Sequence, residues 1–366
     1  MSAPVPQPGI LDIAAYVGGA SAIAGAKRII KLSSNEGAFG PSPKAIEAAQ
    51  QSASHMHRYP DGGATQLRQA LADRHGLDVD RIVCGAGSDE LLSLLCSAYA
   101  GPGDEVLHSA HGFLMYAISA KAAGATPVAA PEKNLCVDVD ALLDHVTDKT
   151  RIVFVANPNN PTGTCIPSAE IERLWQGLPS DVLLVVDAAY AEFVDDPDYS
   201  AGQDLVEKAD NVVMTRTFSK LYSLGGARIG WAYCSAQIAD VLNRVRGPFN
   251  VTSTALAMGL AALGDEEFTA MVRREPIRIR DHVTDDLHKL QIKTTNSVGN
   301  FILMNPGTGA GRDAEACDEF LKARGIIVRR VTGYGLPDYL RVTVGTEEEM
   351  SAFLDAIRDF MNGAGL

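Results

Sequence analysis

The stretch VLLVVDAAY (residues 182–190) decides the fold of this 366-residue chain. Its first five residues are apolar in succession rather than alternately, which is typical of a strand buried on both faces of a parallel sheet. Asp187 follows directly, where a carboxylate is costly unless a cationic group lies nearby. Ligands of open α/β sheets bind outside the carboxyl ends of the strands. The position therefore indicates binding or chemistry, with a cap for the next loop or helix as the alternative.

Helical patterns and apolar runs alternate on both sides of this stretch. Short β-branched runs occur in RIVCG (81–85), RIVFVA (151–156) and VVMTRT (212–217), and between them lie helical patterns such as DELLSLLCSAYA (89–100). Such alternation predicts an α/β fold with a mainly parallel sheet covered by helices.

A second, smaller domain is predicted after about residue 250. A long helical stretch is followed there by FILMN, IIVRRV and LRVTVG, which indicates an α+β unit. We predict an N-terminal arm at 1–35 that packs with the small domain or a dimer partner, a large domain at 36–265 and a small domain at 266–366.

Composition excludes several classes of protein. The formal net charge of -13 argues against a nucleic-acid-binding surface. Six cysteines are scattered without a CxxC pair or a zinc-site spacing, which predicts reduced thiols, no disulfide and no metal. Neither a signal peptide nor a stretch long enough to span a bilayer is found, so we expect a cytoplasmic protein without membrane contact.

Three further strand ends carry polar groups. AGSDE (86–90) opens a helix whose first backbone N–H groups could hold a phosphate, although an ordinary strand-to-helix turn has the same features. PNNPTG (158–163) presents Asn160 on a rigid turn. The run ending in TFSK brings Lys220, with Arg228 eight residues later. Each feature is weak alone, since most lysines are solvated surface residues.

Together these groups match the needs of pyridoxal 5'-phosphate (PLP). Lys220 supplies the amine for a Schiff base and later moves a proton, and Asp187 pairs with the pyridine nitrogen. Asn160 and Tyr190 are placed to donate to the ring oxygen, and Phe113 is a candidate to stack on the ring, with simple core packing as its alternative. The candidates for the phosphate are Ala86, Gly87, Ser88, Asp89, Thr217, Ser219 and Arg228.

The same segments occur in a known family. The matching pieces are LDIAAYVGG (11–19), KLSSNEGAFGPSPKAIEA (31–48), RYPDGGATQLRQAL (58–71), CGAGSDELL (84–92), NPNNPTG (157–163), VVDAAYAEF (185–193), TFSKLYSLGGARIG (217–230), GNFIL (299–303), IIVRR (326–330) and YGLPDYLRVTVGT (334–346). They resemble the class I/II aminotransferases of fold type I, and within them most closely the histidinol-phosphate aminotransferases. Ala188 and Ala86 stand where Glu and Asn are common in this family.

The resemblance implies more than the motifs show. It implies a large domain with a seven-stranded sheet, and a homodimer in which Tyr59 reaches the cofactor phosphate of the neighbouring subunit. It also implies Arg341 as the main anion-binding residue. Arg329, Tyr16 and Asn35 would line the substrate pocket beside it.

The implied reaction transfers the amino group of histidinol phosphate to 2-oxoglutarate, giving imidazole acetol phosphate and glutamate in histidine biosynthesis. Two arginines, Arg341 and Arg329, suit a phosphate, and the planar fork of arginine also accepts the carboxylate of glutamate. An aromatic amino acid aminotransferase acting on tyrosine or phenylalanine is the alternative. A PLP-dependent decarboxylase of a phosphorylated amino acid would share most of the cofactor residues. A nucleotide-binding protein is excluded, because neither GxxxxGKS/T nor a strand-bound GxGxxG occurs.

Overall fold

The computed structural model describes residues 4–15, 18–23, 25, 28–309 and 311–363. Its strands are β1 (Ile30–Lys31), β2 (Ile82–Gly85), β3 (Glu105–Ser109), β4 (Thr126–Ala130), β5 (Thr150–Ala156), β6 (Leu183–Asp187), β7 (Val212–Thr217), β8 (Gly230–Tyr233), β9 (Lys293–Thr294), β10 (Phe301–Asn305), β11 (Ile326–Ile327), β12 (Arg329–Arg330) and β13 (Leu340–Thr343). Its α-helices are α1 (Pro43–Ala53), α2 (Thr65–His75), α3 (Ser88–Tyr99), α4 (Met115–Ala122), α5 (Val139–Asp144), α6 (Ser168–Gly177), α7 (Gln203–Val206), α8 (Ala236–Val245), α9 (Ser253–Leu263), α10 (Glu266–Lys289), α11 (Ala314–Ala323) and α12 (Glu347–Met361).

The large sheet has seven strands in the order β2-β8-β7-β6-β5-β3-β4. All neighbouring strands run parallel except β8, which is antiparallel to both β2 and β7. Every residue of β6 is buried. Leu184 and Val186 pack in the apolar layer on one face, and Leu183 and Val185 in the layer on the other. Helices cover both faces, which explains the continuous apolar run and confirms the predicted α/β fold.

The turn from β2 into α3 depends on glycine. Gly87 has a φ of 86°, a conformation that L side chains rarely adopt. A Cβ on Gly230 of β8 would lie 2.4 Å from the backbone nitrogen of Ser88, so the two backbones approach each other closely. These glycines place the N-terminus of α3 against the edge of β8.

The smaller unit is an antiparallel sheet in the order β12-β13-β10-β9, packed against α10, α11 and α12. A capping box begins α12: the Thr346 hydroxyl accepts from the Glu349 amide at 3.3 Å, and the Glu349 carboxylate accepts from the Thr346 amide at 2.8 Å. This agrees with the α+β unit expected from the sequence.

Two segments connect the units. Strand β1 pairs in parallel with β11, and Ile30 and Leu32 are buried in the core of the smaller unit. Helix α10 belongs to both cores, because Val272 packs against the large one and Val283 against the small one. The segment that follows residue 35 packs against both cores, and residue 265 directly precedes the shared helix α10. The predicted boundaries at 35 and 265 therefore remain a proposal.

Candidate active site

A cavity of about 350 Å³ lies between the ends of β5, β6 and β7 and the smaller sheet. Most of the residues predicted from the sequence line it. They are Asn35, Ser88, Asp89, Phe113, Asn160, Asp187, Tyr190, Thr217, Ser219, Lys220, Arg228, Arg329 and Arg341. Residues up to 306 positions apart in the chain thus line a single cavity.

Asp187 is the buried anion of the site, with 5% of its surface exposed. Its carboxylate accepts hydrogen bonds from the Tyr116 hydroxyl at 2.9 Å and from the Thr215 hydroxyl at 3.1 Å. Burial raises the pKa of Asp187 to about 6, while the two hydroxyls and Lys220 act in the opposite direction. A charged carboxylate at this place is therefore poised to gain a cationic partner.

Lys220 lies after the end of β7, and its Nζ atom is 5.5 Å from the centre of the Tyr190 ring. The Tyr190 hydroxyl accepts a hydrogen bond from Asn35 Nδ2 at 2.9 Å. Burial raises the pKa of Tyr190 to about 12, so its hydroxyl keeps its proton at neutral pH. An amine and a phenol thus face the same space.

The N-terminus of α3 and Arg228 form an anion-binding corner. Arg228 donates to Asp89 Oδ2 at 3.1 Å and to Ser219 Oγ at 3.4 Å. A Cβ on Gly87 would lie 2.4 Å from the Arg228 guanidinium, so a larger residue there would displace that side chain from its present position. Thr217 Oγ1 accepts from the Ser219 amide at 3.1 Å, which fixes the loop before Lys220.

The amides of Ala86 and Gly87, both predicted to help hold a phosphate, already have partners within the turn. The Ala86 amide donates to Glu90 Oε2 at 2.6 Å, and the Gly87 amide donates to the Gly85 carbonyl at 2.8 Å. Neither residue lines the cavity as described. The backbone donors left at the helix N-terminus are the amides of Ser88 and Asp89, whose first-turn N–H groups have no partner within the helix.

The opposite wall holds the arginines. Arg341 is 6% exposed; its guanidinium donates to Asn160 Oδ1 at 2.5 Å and to the Ser33 carbonyl at 3.1 Å. Its Nε is buried and has no hydrogen-bond partner among the described residues. Arg329 lies directly opposite on the neighbouring antiparallel strand. Two cationic forks thus face the cavity.

Tyr59 lies apart from this cavity. Tyr59 is 83% exposed and stacks on Phe249, with ring centres 4.8 Å apart. It does not line the cavity of its own chain. Tyr16 lies outside the described residues.

Sequence reasoning missed several residues at the site: Tyr116, Thr215, Tyr334, Ser33 and Glu36. Tyr116 lies in the first turn of α4, three residues after Phe113, so a second aromatic residue in the same segment was a usable signal. Phe113 lines the cavity and meets the Tyr116 ring edge-on, with ring centres 5.9 Å apart. Thr215 lies in β7, where every residue is buried, so the sequence did not indicate which face of the sheet its side chain is on.

Metal-binding clusters and membrane-spanning helices are both absent from the described residues. No group of three or more His, Cys, Asp or Glu side chains in that part of the chain could hold a metal ion. No described helix is long and apolar enough to cross a membrane.

Residues 27–357 match the sequence family described as aminotransferase class I and II, so the chain belongs to this family. Within it, the chain is 59% identical over 361 residues to a histidinol-phosphate aminotransferase of Paramagnetospirillum magneticum, with 99% of each chain covered. It is 56% identical over 363 residues to a histidinol-phosphate aminotransferase of Rhodospirillum centenum, covering 99% of this chain and 100% of the relative. These full-length relatives confirm the predicted resemblance to the histidinol-phosphate aminotransferases.

A solved structure shows the same fold. The histidinol-phosphate aminotransferase of Sinorhizobium meliloti, in complex with pyridoxal-5'-phosphate, superposes with a TM-score of 0.90 at 27% sequence identity, with 100% of both chains covered. Its bound PLP agrees with the cofactor predicted from the sequence.

Proposed function

We propose that this chain is a PLP-dependent aminotransferase that moves the amino group of histidinol phosphate to 2-oxoglutarate. The observation that carries the proposal is that one cavity joins Lys220 and the buried carboxylate of Asp187 with the two arginines Arg329 and Arg341. Full-length relatives named for this activity support the choice of substrate.

The residues present fit PLP at each of its polar groups. Asp187 would face the pyridine nitrogen, because a carboxylate whose pKa is raised by burial gains from a protonated partner. Asn160 and Tyr190 would hold the ring oxygen. The phosphate would bind at the anion corner, formed by the amides of Ser88 and Asp89 and by Thr217, Ser219 and Arg228. When bound, PLP serves as the electron sink for the negative charge left at Cα after proton removal.

Lys220 has two roles in this proposal. Its amine would hold the cofactor covalently, and after displacement by the incoming amine it would carry the proton between the substrate Cα and the cofactor. Tyr190 lies beside it, with its hydroxyl oriented by Asn35. A general base held at one side of the substrate keeps the proton transfer on that side.

Arg341 and Arg329 would bind the anionic end of each substrate. Histidinol phosphate offers a phosphate, and glutamate offers carboxylates. Because guanidinium groups match both geometries, one pair of arginines serves both halves of the reaction. The buried Nε of Arg341, which has no hydrogen-bond partner among the residues that the structure describes, is one donor for that anion. If Tyr16 lines this end as well, its hydroxyl adds a further donor.

The experiment compares amino donors in a single half-reaction. Histidinol phosphate, tyrosine and phenylalanine are mixed separately with the PLP-loaded enzyme without a keto acid, and the loss of its visible absorbance is followed by stopped flow. We expect histidinol phosphate to give the largest second-order rate constant, and product analysis to show the keto compound. A much larger rate constant for tyrosine would make the aromatic alternative correct. A phosphorylated amino acid is added as a fourth donor, and CO₂ release from it would indicate a decarboxylase.

A homodimer and a cytoplasmic location are further parts of the proposal. Tyr59 and Phe249 form an exposed aromatic pair, and Met56 beside this segment is 62% exposed, which is unusual for large apolar side chains unless another surface covers them. A second copy would bring Tyr59 to the phosphate of its neighbour.

Mixed dimers test this arrangement. A Lys220→Ala chain and a Tyr59→Ala chain, each poorly active alone, should regain activity after subunit exchange, because one site of the mixed dimer then has both residues. Random exchange predicts about one quarter of the wild-type sites. If no activity returns although sedimentation shows exchanged dimers, Tyr59 does not act across the interface.

A further inference from the structure

Tyr116 contacts both Asp187 and Phe113, two of the residues predicted to bind PLP. Its hydroxyl donates to Asp187 Oδ2 at 2.9 Å, and its ring meets Phe113 edge-on with the ring centres 5.9 Å apart. The Tyr116 ring also stacks in parallel on the ring of Phe154, with ring centres 4.6 Å apart and an interplanar angle of 2°. The side chain is fully buried. The Tyr116 hydroxyl is therefore fixed in place by aromatic packing.

We propose that Tyr116 is a positioning residue for the cofactor. Its hydroxyl holds Asp187 as an ionised carboxylate directed at the pyridine nitrogen, and its ring sets the plane of Phe113 on the cofactor face. The inference rests on the proposed function, since it assigns Tyr116 a part in binding PLP.

Electrostatics show why Asp187 needs this partner. Burial drives the Asp187 carboxyl toward its neutral form, and the nearby charge of Asp89 acts in the same direction. The hydroxyls of Tyr116 and Thr215 and the amine of Lys220 oppose both effects and lower the pKa. A neutral Asp187 would not stabilise a proton on the pyridine nitrogen. The hydroxyl donors thus keep the carboxyl charged at the pH where the enzyme works.

Tyr116 is suited to be a permanent donor. Burial and the adjacent Asp187 raise the pKa of Tyr116 well above its ordinary value, so the hydroxyl does not ionise near neutral pH. Other titratable groups that act on it or lie beside its ring are His108, whose ring centre is 6.2 Å away, Tyr334 and Asp89. Burial lowers the pKa of His108, against the opposing effect of its hydrogen bond to the Ser109 carbonyl. The hydrogen bond to Asp187 therefore keeps one direction throughout the working range.

The test removes the hydroxyl and keeps the ring. Dissociation constants of PLP are measured from pH 5 to pH 9 for wild-type protein and for Tyr116→Phe, by equilibrium dialysis of the cofactor-free proteins. Loss of a hydrogen bond to a charged group predicts about tenfold weaker binding at pH 7. The decline of affinity on the acid side should move up by about one pH unit, because the pKa of Asp187 rises.

Two further variants complete the design. Tyr233→Phe is the matched control: Tyr233 is also fully buried, but its hydroxyl donates to Glu207. Its binding profile should equal that of the wild type. Thr215→Val removes the second donor to Asp187 and should move the acid decline in the same direction by a smaller amount. This second variant decides the question if Tyr116→Phe does not fold.

The possible results separate the claims. An unchanged profile for Tyr116→Phe, or weaker binding to the same degree at every pH, would overturn the positioning role. A wild-type protein that binds no PLP would instead overturn the proposed function, and the comparison of variants would then not be made.

Discussion

The two walls of the cavity are built in different ways. On the large-sheet wall, Asp187 is the last residue of β6 and Lys220 follows the end of the adjacent parallel strand β7. The Asp187 carboxylate is fixed by Tyr116 and Thr215. On the small-sheet wall, Arg341 of β13 is held by Asn160 of the large unit and by the carbonyl of Ser33, 308 residues earlier in the chain. One wall is a consequence of sheet topology, and the other is assembled from distant segments.

This difference matches two chemical tasks. A parallel sheet with both faces buried holds the cofactor groups rigidly, because every strand end is fixed by packing on both sides. The substrate groups come from different units, so they meet only when the arm, the small sheet and the loop of Asn160 are all in place. Variants of the first wall should therefore affect chemistry, and variants of the second should affect substrate binding.

The largest effect is expected for Lys220→Ala on the large-sheet wall. Because the variant loses the proposed proton carrier, kcat of the amino-transfer reaction should fall by about 10³-fold or more. The control is Lys208→Ala, a half-exposed lysine whose Nζ is 3.6 Å from Glu172, which should keep normal activity. A Lys220→Ala enzyme with more than a tenth of the wild-type kcat would show that Lys220 is not the proton carrier.

Arg341→Lys tests the small-sheet wall. A lysine cannot reproduce the two-pronged contacts to Asn160 and Ser33, so we expect kcat/KM for histidinol phosphate to fall by about 10²-fold, mainly through KM. Steady-state kinetics give both constants. A fall in kcat alone would contradict the division of tasks between the walls.

Neighbouring arginines sharpen the same point. Arg329 lines the cavity, whereas Arg330 lies 3.5 Å from Glu315 outside it. Arg329→Ala should lower kcat/KM about tenfold, because one of two charged contacts to the anion is lost. Arg330→Ala should stay within about twofold of the wild type. Equal effects of the two variants would show that position in the cavity is not what matters.

The smallest effect concerns stability without cofactor. Asp187 has a folded-state pKa of about 6, above the ordinary value of 3.8, so this group destabilises the cofactor-free fold increasingly as the pH rises from about 4 to 6, and fully above that range. Asp187→Asn should therefore stabilise the cofactor-free protein by on the order of 2 kcal/mol at pH 8 and by about half as much at pH 5. Urea unfolding at both pH values measures it. A less stable variant at pH 8 would show that the buried charge is better compensated than proposed.

Much of the fold and of the large-sheet wall could be predicted from the sequence. Continuous apolar runs identified the buried strands, and residues directly after them, Asp187 and Lys220, gave the cofactor site. The direction of β8 was not predicted, because four residues carry no signal of whether a strand runs parallel or antiparallel.

The remaining details depend on packing that the sequence does not display. Ala86 and Gly87 were predicted to help hold the phosphate, and in the structure their amides form hydrogen bonds inside the turn between β2 and α3. Tyr116 acts on a residue 71 positions away through the placement of α4 over β5 and β6. Arg341 and Arg329 came only from family resemblance, because nothing in their local sequence indicates which face of a short strand looks into the cavity.

The most direct measurement is the site of PLP attachment. The PLP-loaded protein is reduced with borohydride, digested with trypsin and analysed by mass spectrometry. The account predicts that the added mass lies on Lys220, within the peptide of residues 217–228, because cleavage after the modified lysine is blocked. PLP found on another lysine, or persisting reducible PLP in the Lys220→Ala variant, would contradict it.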